Sequence, residues 1–401
     1  MSGWTVTRLT SGTEEGRFHS HSYYDIPVIE PVPDAAGADG ARVLAYETRF
    51  AERQPGPDDA VTVGFARLGR PDGFEPVARA RAWSWQQGPM AQWAGADRFL
   101  YNDREGDRFV ARLHEGEAVR TLPRAAYALS PDRTYALSLD FARLEALRPG
   151  YGYAGGRGGA ADRRPGDEGV WRMPLDGAAP TLILSLDDAV RFLLGALPLH
   201  ERLRHAGRRY AYWFNHAKFA PGGARFTVKL RWRRPGGPWN ERMGVSLTCG
   251  TDGQALRLLT DATSHVMWLD DARLYAWRAG ELSVWRDAGP EAGIEAGRGV
   301  RLGTLGGGLI DANVHLRHLP EGAVETPDAL VYDTPYREDV TLYRQEGTGG
   351  ARAAMATFTG HRPARGPFRC DLHPVPLPDG HGVLVTSLRD GGRQLYAVTR
   401  G

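Results

Sequence analysis

Short runs in which apolar and polar residues alternate, each closed by a cluster of Pro, Gly or Asp, recur along the whole chain. This is the period of a half-buried β-strand. The clearest unit is Asn215-His216-Ala217-Lys218-Phe219-Ala220-Pro221-Gly222-Gly223, followed by the strand-like Arg225-Phe226-Thr227-Val228. Weaker copies follow it. His265-Val266-Met267-Trp268-Leu269-Asp270-Asp271 precedes Arg273-Leu274-Tyr275-Ala276-Trp277, and the stretches His315 to Gly322 and His373 to Gly380 repeat the pattern. In each copy the histidine stands five residues before the first residue of the turn. Carrying the turn backwards along the chain gives seven anchors in all: Pro31, Gly95, Pro131, Pro221, Asp270, Pro320 and Pro378.

A repeat of roughly 40 to 60 residues built from several short β-runs is the mark of a propeller blade, whose sheet cannot bury both faces without its neighbours. The predicted fold is therefore all-β, a seven-bladed β-propeller, with residues 1–401 forming one domain. Thr5-Val6-Thr7-Arg8-Leu9-Thr10 has no hairpin partner nearby and is predicted to pair beside Gln394-Leu395-Tyr396-Ala397-Val398, which would remove an exposed sheet edge. Blade one is predicted to hold strands near 42–50 and 61–68, and blade two strands near 99–103 and 109–113. Blade three starts at Tyr127 and is interrupted by an insert at about 140–170, where a long connection on a β scaffold is a natural place for function. Ser185-Leu186-Asp187-Asp188 predicts the cap of a short helix over about 189–194. The Gly-rich run Gly303 to Gly308, with no helix after it, is predicted to be a loop.

Composition narrows the function classes. The net charge is +2 and the basic residues are scattered, so the electrostatic footprint of a nucleic-acid binder is missing. All but two of the basic residues, Lys218 and Lys229, are arginine, a side chain suited to a bidentate grip on carboxylates. No apolar run approaches the roughly 18 residues needed to cross a bilayer. The first residues lack the pattern of a signal peptide, and Cys249 and Cys370 stand far apart, so a reducing, cytoplasmic setting without membrane contact is expected. There is no Gly-rich phosphate loop before a helix, no Gly-x-Ser-x-Gly elbow and no His-Glu-x-x-His motif, which disfavours nucleotide chemistry and serine hydrolysis.

Equivalent positions in successive blades ring a common axis, so His216, His265, His315 and His373 are expected to converge. Each imidazole alone could serve only to hydrogen-bond a neighbouring strand; four in register point further. A cluster of imidazoles, with Asp371 adding a carboxylate, suits a borderline divalent cation such as Mn, Zn, Fe or Ni better than Ca. His21, Tyr23 and Tyr24 precede the first anchor and are expected on the same face, with Tyr24 a proton donor to a leaving oxygen. Arg369 and Arg148, the latter beside Tyr151 and Tyr153, are candidates for gripping a carboxylate, and Gln87 for offering an amide.

With these histidines and the Pro378-Asp379-Gly380 turn, the chain resembles the oligogalacturonate lyases, seven-bladed propellers that cleave short uronic-acid oligosaccharides by β-elimination around a metal held mainly by histidines. Ser264-His265-Val266-Met267-Trp268 is similar to that family's Ser/Thr-His-x-x-Trp ligand segment, and Arg369-Cys370-Asp371-Leu372-His373-Pro374 to its last-blade ligand segment. In the latter Asp371 stands where a histidine is expected, and the family's glutamine is not evident. His21 to Asp25 and Arg148 to Tyr153 resemble segments of a sister group of propellers. The resemblance implies manganese, with Zn or Ca as alternatives, held by His265, His315, His373 and Asp371. It also implies an acidic oligosaccharide or polysaccharide as partner. In such lyase chemistry the base expected from the residues is His216 or an arginine held in an unusual environment, with His21, Gln87, Arg148, Tyr151 and Arg369 binding substrate. The competing expectation is a non-catalytic propeller that binds a glycan or protein. A glycoside hydrolase would need paired carboxylates across a cleft, and no Asp/Glu pair repeats in register.

Overall fold

The structure, a computed structural model, describes residues 3–31, 40–205, 209–238, 241, 243–261, 264–278, 281–288, 299–304, 314–319, 329–346 and 351–400. It is a seven-bladed β-propeller of seven four-stranded antiparallel sheets. The chain divides into two compact units. The first comprises residues 1–121, 153–155 and 305–401, and the second residues 122–152 and 156–304.

The first unit holds blades one, two, six and seven. Blade one is made of Phe18–Ser20, Arg42–Thr48, Val61–Arg67 and Arg70–Ala80; blade two of Gln92–Gly95, Arg98–Glu105, Arg108–Glu115 and Ala118–Leu122. Blade six contains Leu316–His318, Leu330–Asp333, Val340–Gln345 and Arg352–Phe358. In blade seven, Val375–Pro376, Gly382–Ser387 and Gln394–Arg400 are completed by Trp4–Arg8, with Val6 opposite Val398, the pairing anticipated from the unpartnered first strand. Alternate residues of blades six and seven, among them Val331, Leu342, Phe358, Leu372, Val383, Val385 and Tyr396, interdigitate in one core against Trp4 and Val6.

The second unit holds blades three to five. Their inner strands are Ala128–Leu129, Ala211–Phe219 and Ser264–Trp268. Val266, Trp268, Leu274 and Ala276 of blade five pack against Ala220 and Leu259 of blade four. The insert in blade three begins with a helix that periodicity did not announce, α1 (Phe141–Leu147), capped by Asp140, whose carboxylate accepts from Arg143 N at 2.8 Å. From inside it, the buried Arg143 guanidinium donates to the carbonyls of Tyr212, Gly159, Asp162 and Arg163 and so orders the Gly/Arg/Asp-rich segment. The following turn folds tightly back onto α1: a Cβ on Gly152 would lie 2.1 Å from Glu145 N and 2.3 Å from Phe141 O. The second helix, α2 (Leu186–Ala196), starts at the Ser185 cap as expected but runs longer than the predicted span. Gly303 lies in the strand Val300–Thr304, because it pairs with Val284 rather than looping out; the rest of that Gly-rich run, residues 305–308, and the anchor Pro320 lie outside the described residues.

One local irregularity recurs. In blade four, Asn215 pairs with Lys229 and Lys218 with Thr227, so His216 and Ala217 together face Val228. In blade five, His265 and Val266 face Ala276 in the same way. His216 has φ 55°, His265 46° and His373 49°, and Met90, five residues before the Gly95 anchor of blade two, has 50°. At His216 and His265 these are β-bulges with a left-handed first residue, a conformation that usually selects glycine and re-aims the side chain it carries. His315 is not among the positive-φ residues. Four blades thus share a backbone device at one register position, and three of them fill it with histidine.

Two measurements follow. His265→Ala keeps the left-handed strain while His265→Gly relieves it, so the glycine variant is expected to be more stable than the alanine variant by about 1 kcal/mol in urea unfolding; equal stabilities would contradict the strain. Glu145, whose carboxylate accepts from Gly150 N at 3.1 Å, is raised by burial to about 7. The folded state therefore keeps a proton that the unfolded chain releases, and unfolding free energy should fall as pH rises from about 4.5 to about 7. Glu145→Gln should flatten that part of the profile.

Candidate functional site

In the first unit, three segments bring titratable groups together. His315, just ahead of the first strand of blade six, has both its backbone N–H and its ring anchored on Asp333 of the neighbouring strand: N to Oδ1 is 2.9 Å, and Nδ1 lies 3.0 Å from each carboxylate oxygen. A carboxylate can only accept, so Nδ1 carries the proton and Nε2 presents its lone pair. That tautomer control takes the place of the bulge used by the other histidines. Asp371 Oδ2 lies 4.0 Å from His315 Nε2 and 3.8 Å from His373 Nε2. One ligand atom from each of His315, Asp371 and His373 falls within 4.8 Å of the others, and all three residues are buried.

The surroundings fit a cation. His373 Nε2 is buried without a hydrogen-bond partner. Burial first, then the fields of His315, His21, Arg369 and Arg393, hold its pKa well below the ordinary range, so the ring is neutral and able to ligate. Arg369 grips Asp371 in two places, Nε to Oδ1 at 3.1 Å and Nη2 to Oδ2 at 2.8 Å, which fixes the carboxylate's orientation. Two buried imidazoles and a carboxylate, with Asp333 behind one of them, match a borderline divalent ion such as Mn, Zn or Fe, and an oxygen-preferring ion such as Ca less well.

The remaining members come from a loop inside blade one. Ser20 pairs with Tyr46 and Ile29 bridges Val43, so residues 21–28 leave the inner strand between those two contacts. The loop puts the Tyr23 ring 4.7 Å from His373 and the Tyr24 ring 5.0 Å from His315, both edge-on, while the two histidine rings stand perpendicular at 4.7 Å. Arg317 donates to the Tyr24 carbonyl. Burial holds the Tyr24 hydroxyl well above its ordinary pKa, so it stays protonated. His21 donates Nδ1–H to the Ser22 carbonyl at 2.6 Å, is lowered by burial to about 4, and has a buried Nε2 without a hydrogen-bond partner. Gln87 is buried in the Ser84–Gly88 turn, where its neighbour Gln86 donates to the carbonyls of Pro367 and Arg369.

The second unit holds a different cluster. His216 Nε2 lies 3.0 Å from Arg148 Nη1, and Nδ1 lies 3.1 Å from the Tyr127 hydroxyl. A guanidinium can only donate, so Nε2 accepts and the ring is neutral with its proton on Nδ1. Burial, followed by Lys229, Arg148, Lys218 and Arg231, pushes its pKa far down. Arg148 also lies over the Tyr151 ring at 3.4 Å, and Tyr151 meets His216 edge-on at 5.6 Å. The Arg-Pro-Gly-Tyr turn after α1 is therefore a device for delivering Arg148 and Tyr151 to His216. His265 belongs to this unit, buried on the inner strand of blade five, and is not among the three grouped residues of the first.

Of the predicted ligands, the structure brings together His315, Asp371 and His373 with Arg369, Tyr24 and His21 nearby, and separately His216 with Arg148 and Tyr151. Asp333, Asn215 and Tyr127 escaped the sequence reading. Asp333 had a signal: it is a lone carboxylate ending the apolar run Ala329-Leu330-Val331-Tyr332, buried to 0% exposure.

No family sequence model matches the chain, and no curated protein matches it by sequence. Solved structures do match by fold. An oligogalacturonate lyase in complex with manganese is similar over 99% of this chain and 93% of its own, at 15% identity and a TM-score of 0.55. An oligogalacturonate lyase from Vibrio parahaemolyticus is similar over 98% and 93%, at 13% identity and a TM-score of 0.54. The fold of this chain, a seven-bladed propeller along nearly its whole length, is the one those lyases have.

Proposed function

We propose that the protein is a lyase that cleaves an acidic, uronic-acid-containing oligosaccharide or polysaccharide by β-elimination, with a divalent metal, manganese first, held by His315, Asp371 and His373. The observation that carries this reading is the buried His315–Asp371–His373 group, with Asp333 fixing one tautomer and His373 Nε2 lacking a partner. The likeness to the manganese-bound lyase supports it at the level of fold.

In such an elimination, a base takes the proton next to the sugar carboxylate, the bond to the β-oxygen breaks, a carbon–carbon double bond forms and the departing oxygen gains a proton. Negative charge builds on the carboxylate on the way, and a bound divalent ion supplies its neutralisation. Arg369 presents a guanidinium beside Asp371 for the same charge. Tyr24, kept protonated by burial, is the proposed donor of the proton to the departing oxygen. His216 is the proposed base. Its lone pair at Nε2 already accepts from Arg148, so a substrate carboxylate that draws Arg148 away would free that nitrogen and leave the arginine paired with the carboxylate. Tyr151 supports Arg148 through its ring face, and His21 and Gln87 complete the substrate-handling set. A cytoplasmic setting without nucleic-acid or membrane partners belongs to the same reading; among the described residues no helix is long and apolar enough to cross a membrane.

Adding manganese to the metal-free protein is expected to raise its melting temperature, and the parent should generate unsaturated product, read by absorbance, from oligogalacturonate. His373→Ala should fold, lose the metal-dependent shift and form no product. A folded His373→Ala variant that works as fast as the parent, or a parent indifferent to divalent ions, would favour a glycan- or protein-binding propeller instead. Asp333→Asn should weaken metal affinity by roughly 10- to 100-fold, as loss of a carboxylate behind a ligating imidazole does, with the fold intact; unchanged affinity would remove Asp333 from the role.

A further inference from the structure

The stretch that delivers Asp371 to the cation group has no strand of its own. The last strand of blade six ends at Phe358 and the inner strand of blade seven begins at Val375, so the connection between them stands outside the sheet ladders. Its backbone groups must find partners elsewhere, and in a connection those are usually water. Here the carbonyls of Gly366, Pro367, Phe368, Arg369 and Cys370 all accept from side chains. Arg369 Nη1 donates back to Gly366 at 3.0 Å. Gln86 Nε2 donates to Pro367 at 3.1 Å and to Arg369 at 2.9 Å. Arg393 Nη2 donates to Phe368 at 2.9 Å and to Arg369 at 2.7 Å. His361 Nδ1 lies 2.9 Å from the Cys370 carbonyl, and since a carbonyl only accepts, that nitrogen carries the proton. The next residue is Asp371.

The three outside donors come from distant parts of the chain, and each is itself held. Gln86 sits in the tight turn Ser84–Gly88, closed by Gly88 N on the Ser84 carbonyl at 2.8 Å. Gly88 has φ 61°, and a Cβ there would meet the Tyr46 ring at 2.6 Å, so the turn admits no other residue without a shift. The Arg393 guanidinium lies 4.5 Å from the Trp85 ring centroid, and His361 Nε2 lies 2.9 Å from the Ser387 hydroxyl. Gln86, His361 and Arg393 are all buried, in the same unit as the cation group.

Burial of this stretch would by itself explain one donor for each carbonyl. It does not explain two donors on Arg369, where both lone pairs of the carbonyl are taken. Arg369 is the residue whose guanidinium reaches forward to grip both oxygens of Asp371. Its main chain is pinned from behind while its side chain fixes the carboxylate in front, and His361 pins the one residue between them. A ligand set has to be placed to within about 0.5 Å, and the groups behind the ligands do the placing.

We infer that Gln86, Arg393 and His361 are positioning residues for the cation group: they clamp residues 367–370 and so hold the carboxylate of Asp371 within reach of His315 and His373. The inference rests on the metal-holding reading of that group and asks nothing of the glycan or of the elimination.

Calorimetric titration of manganese into the metal-free full-length protein, with the paramagnetic resonance spectrum of the bound ion, tests it. Gln86→Met removes both amide donations at nearly constant length and should weaken manganese roughly tenfold, the scale of loss when a group behind a metal ligand is removed. The spectrum of its bound ion should differ from the parent's. Arg393→Lys keeps a cation beside Trp85 with fewer donors; it should show the same changes to a smaller extent, and it carries the test should Gln86→Met fail to fold. Leu113→Ala, a cut in the core on the third strand of blade two, should lower the melting temperature and leave affinity and spectrum as in the parent. Folded Gln86→Met and Arg393→Lys proteins with parent-like affinity and spectrum would overturn the clamp and leave the metal reading standing. An equal loss of affinity in Leu113→Ala would reduce the effect to general destabilisation and overturn the clamp as well. A parent that takes up no manganese would sink the metal reading, and with it anything these residues could position.

Discussion

Within a β-strand, side chains leave alternately to one face or the other, and in a propeller blade both faces are pressed against neighbours. A histidine that must meet a ligand or a residue of another segment cannot follow either direction. The chain resolves this by forcing His216, His265 and His373 into left-handed backbone, at the first two by setting two residues against one on the inner strand. Such a conformation costs on the order of 1–3 kcal/mol at each residue and persists only where the surrounding sheet overdetermines it. Ala217 and Val266, the second bulge residues, are almost wholly buried and pin the distortion from behind. Contacts of the re-aimed rings bear this out: His216 meets Tyr127 and Arg148, and His373 meets Tyr23 and His315.

The two units set different groups directly against their histidines. In the first, Asp333 and Asp371 face two imidazoles, and Arg369 steadies one of the carboxylates. Such a setting welcomes a cation, and neutral rings with directed lone pairs are what a metal requires. In the second, burial and then the ammonium and guanidinium groups around His216 keep its ring neutral. Burial is the largest influence suppressing protonation of both His373 and His216.

Much of the fold could be read from residue patterns because strand alternation and turn residues are local signals. Seven anchors correspond to seven sheets, and the lone first strand pairs where an unpaired edge demanded it. Met90 shows how deep the register goes, since it takes the left-handed position with no histidine to draw attention to it. What pattern could not supply was contact. Helix α1 has too few turns to declare a period, and Gly303 looked like loop because neither strand partner nor register can be read from glycine alone. Asp333 holds the ring of His315 from 18 positions away, and no spacing rule connects them.

The pairing of Trp4–Arg8 with Gln394–Arg400 joins residues almost 400 positions apart in the sheet that carries His373 on its inner side. Contacts of such long range form late, since the entropy of closing the loop is lost before any stabilisation returns. The His315–Asp371–His373 group draws on blades six and seven, which are synthesised after blades one to five. A nascent chain would therefore fold its earlier blades before the three side chains could meet.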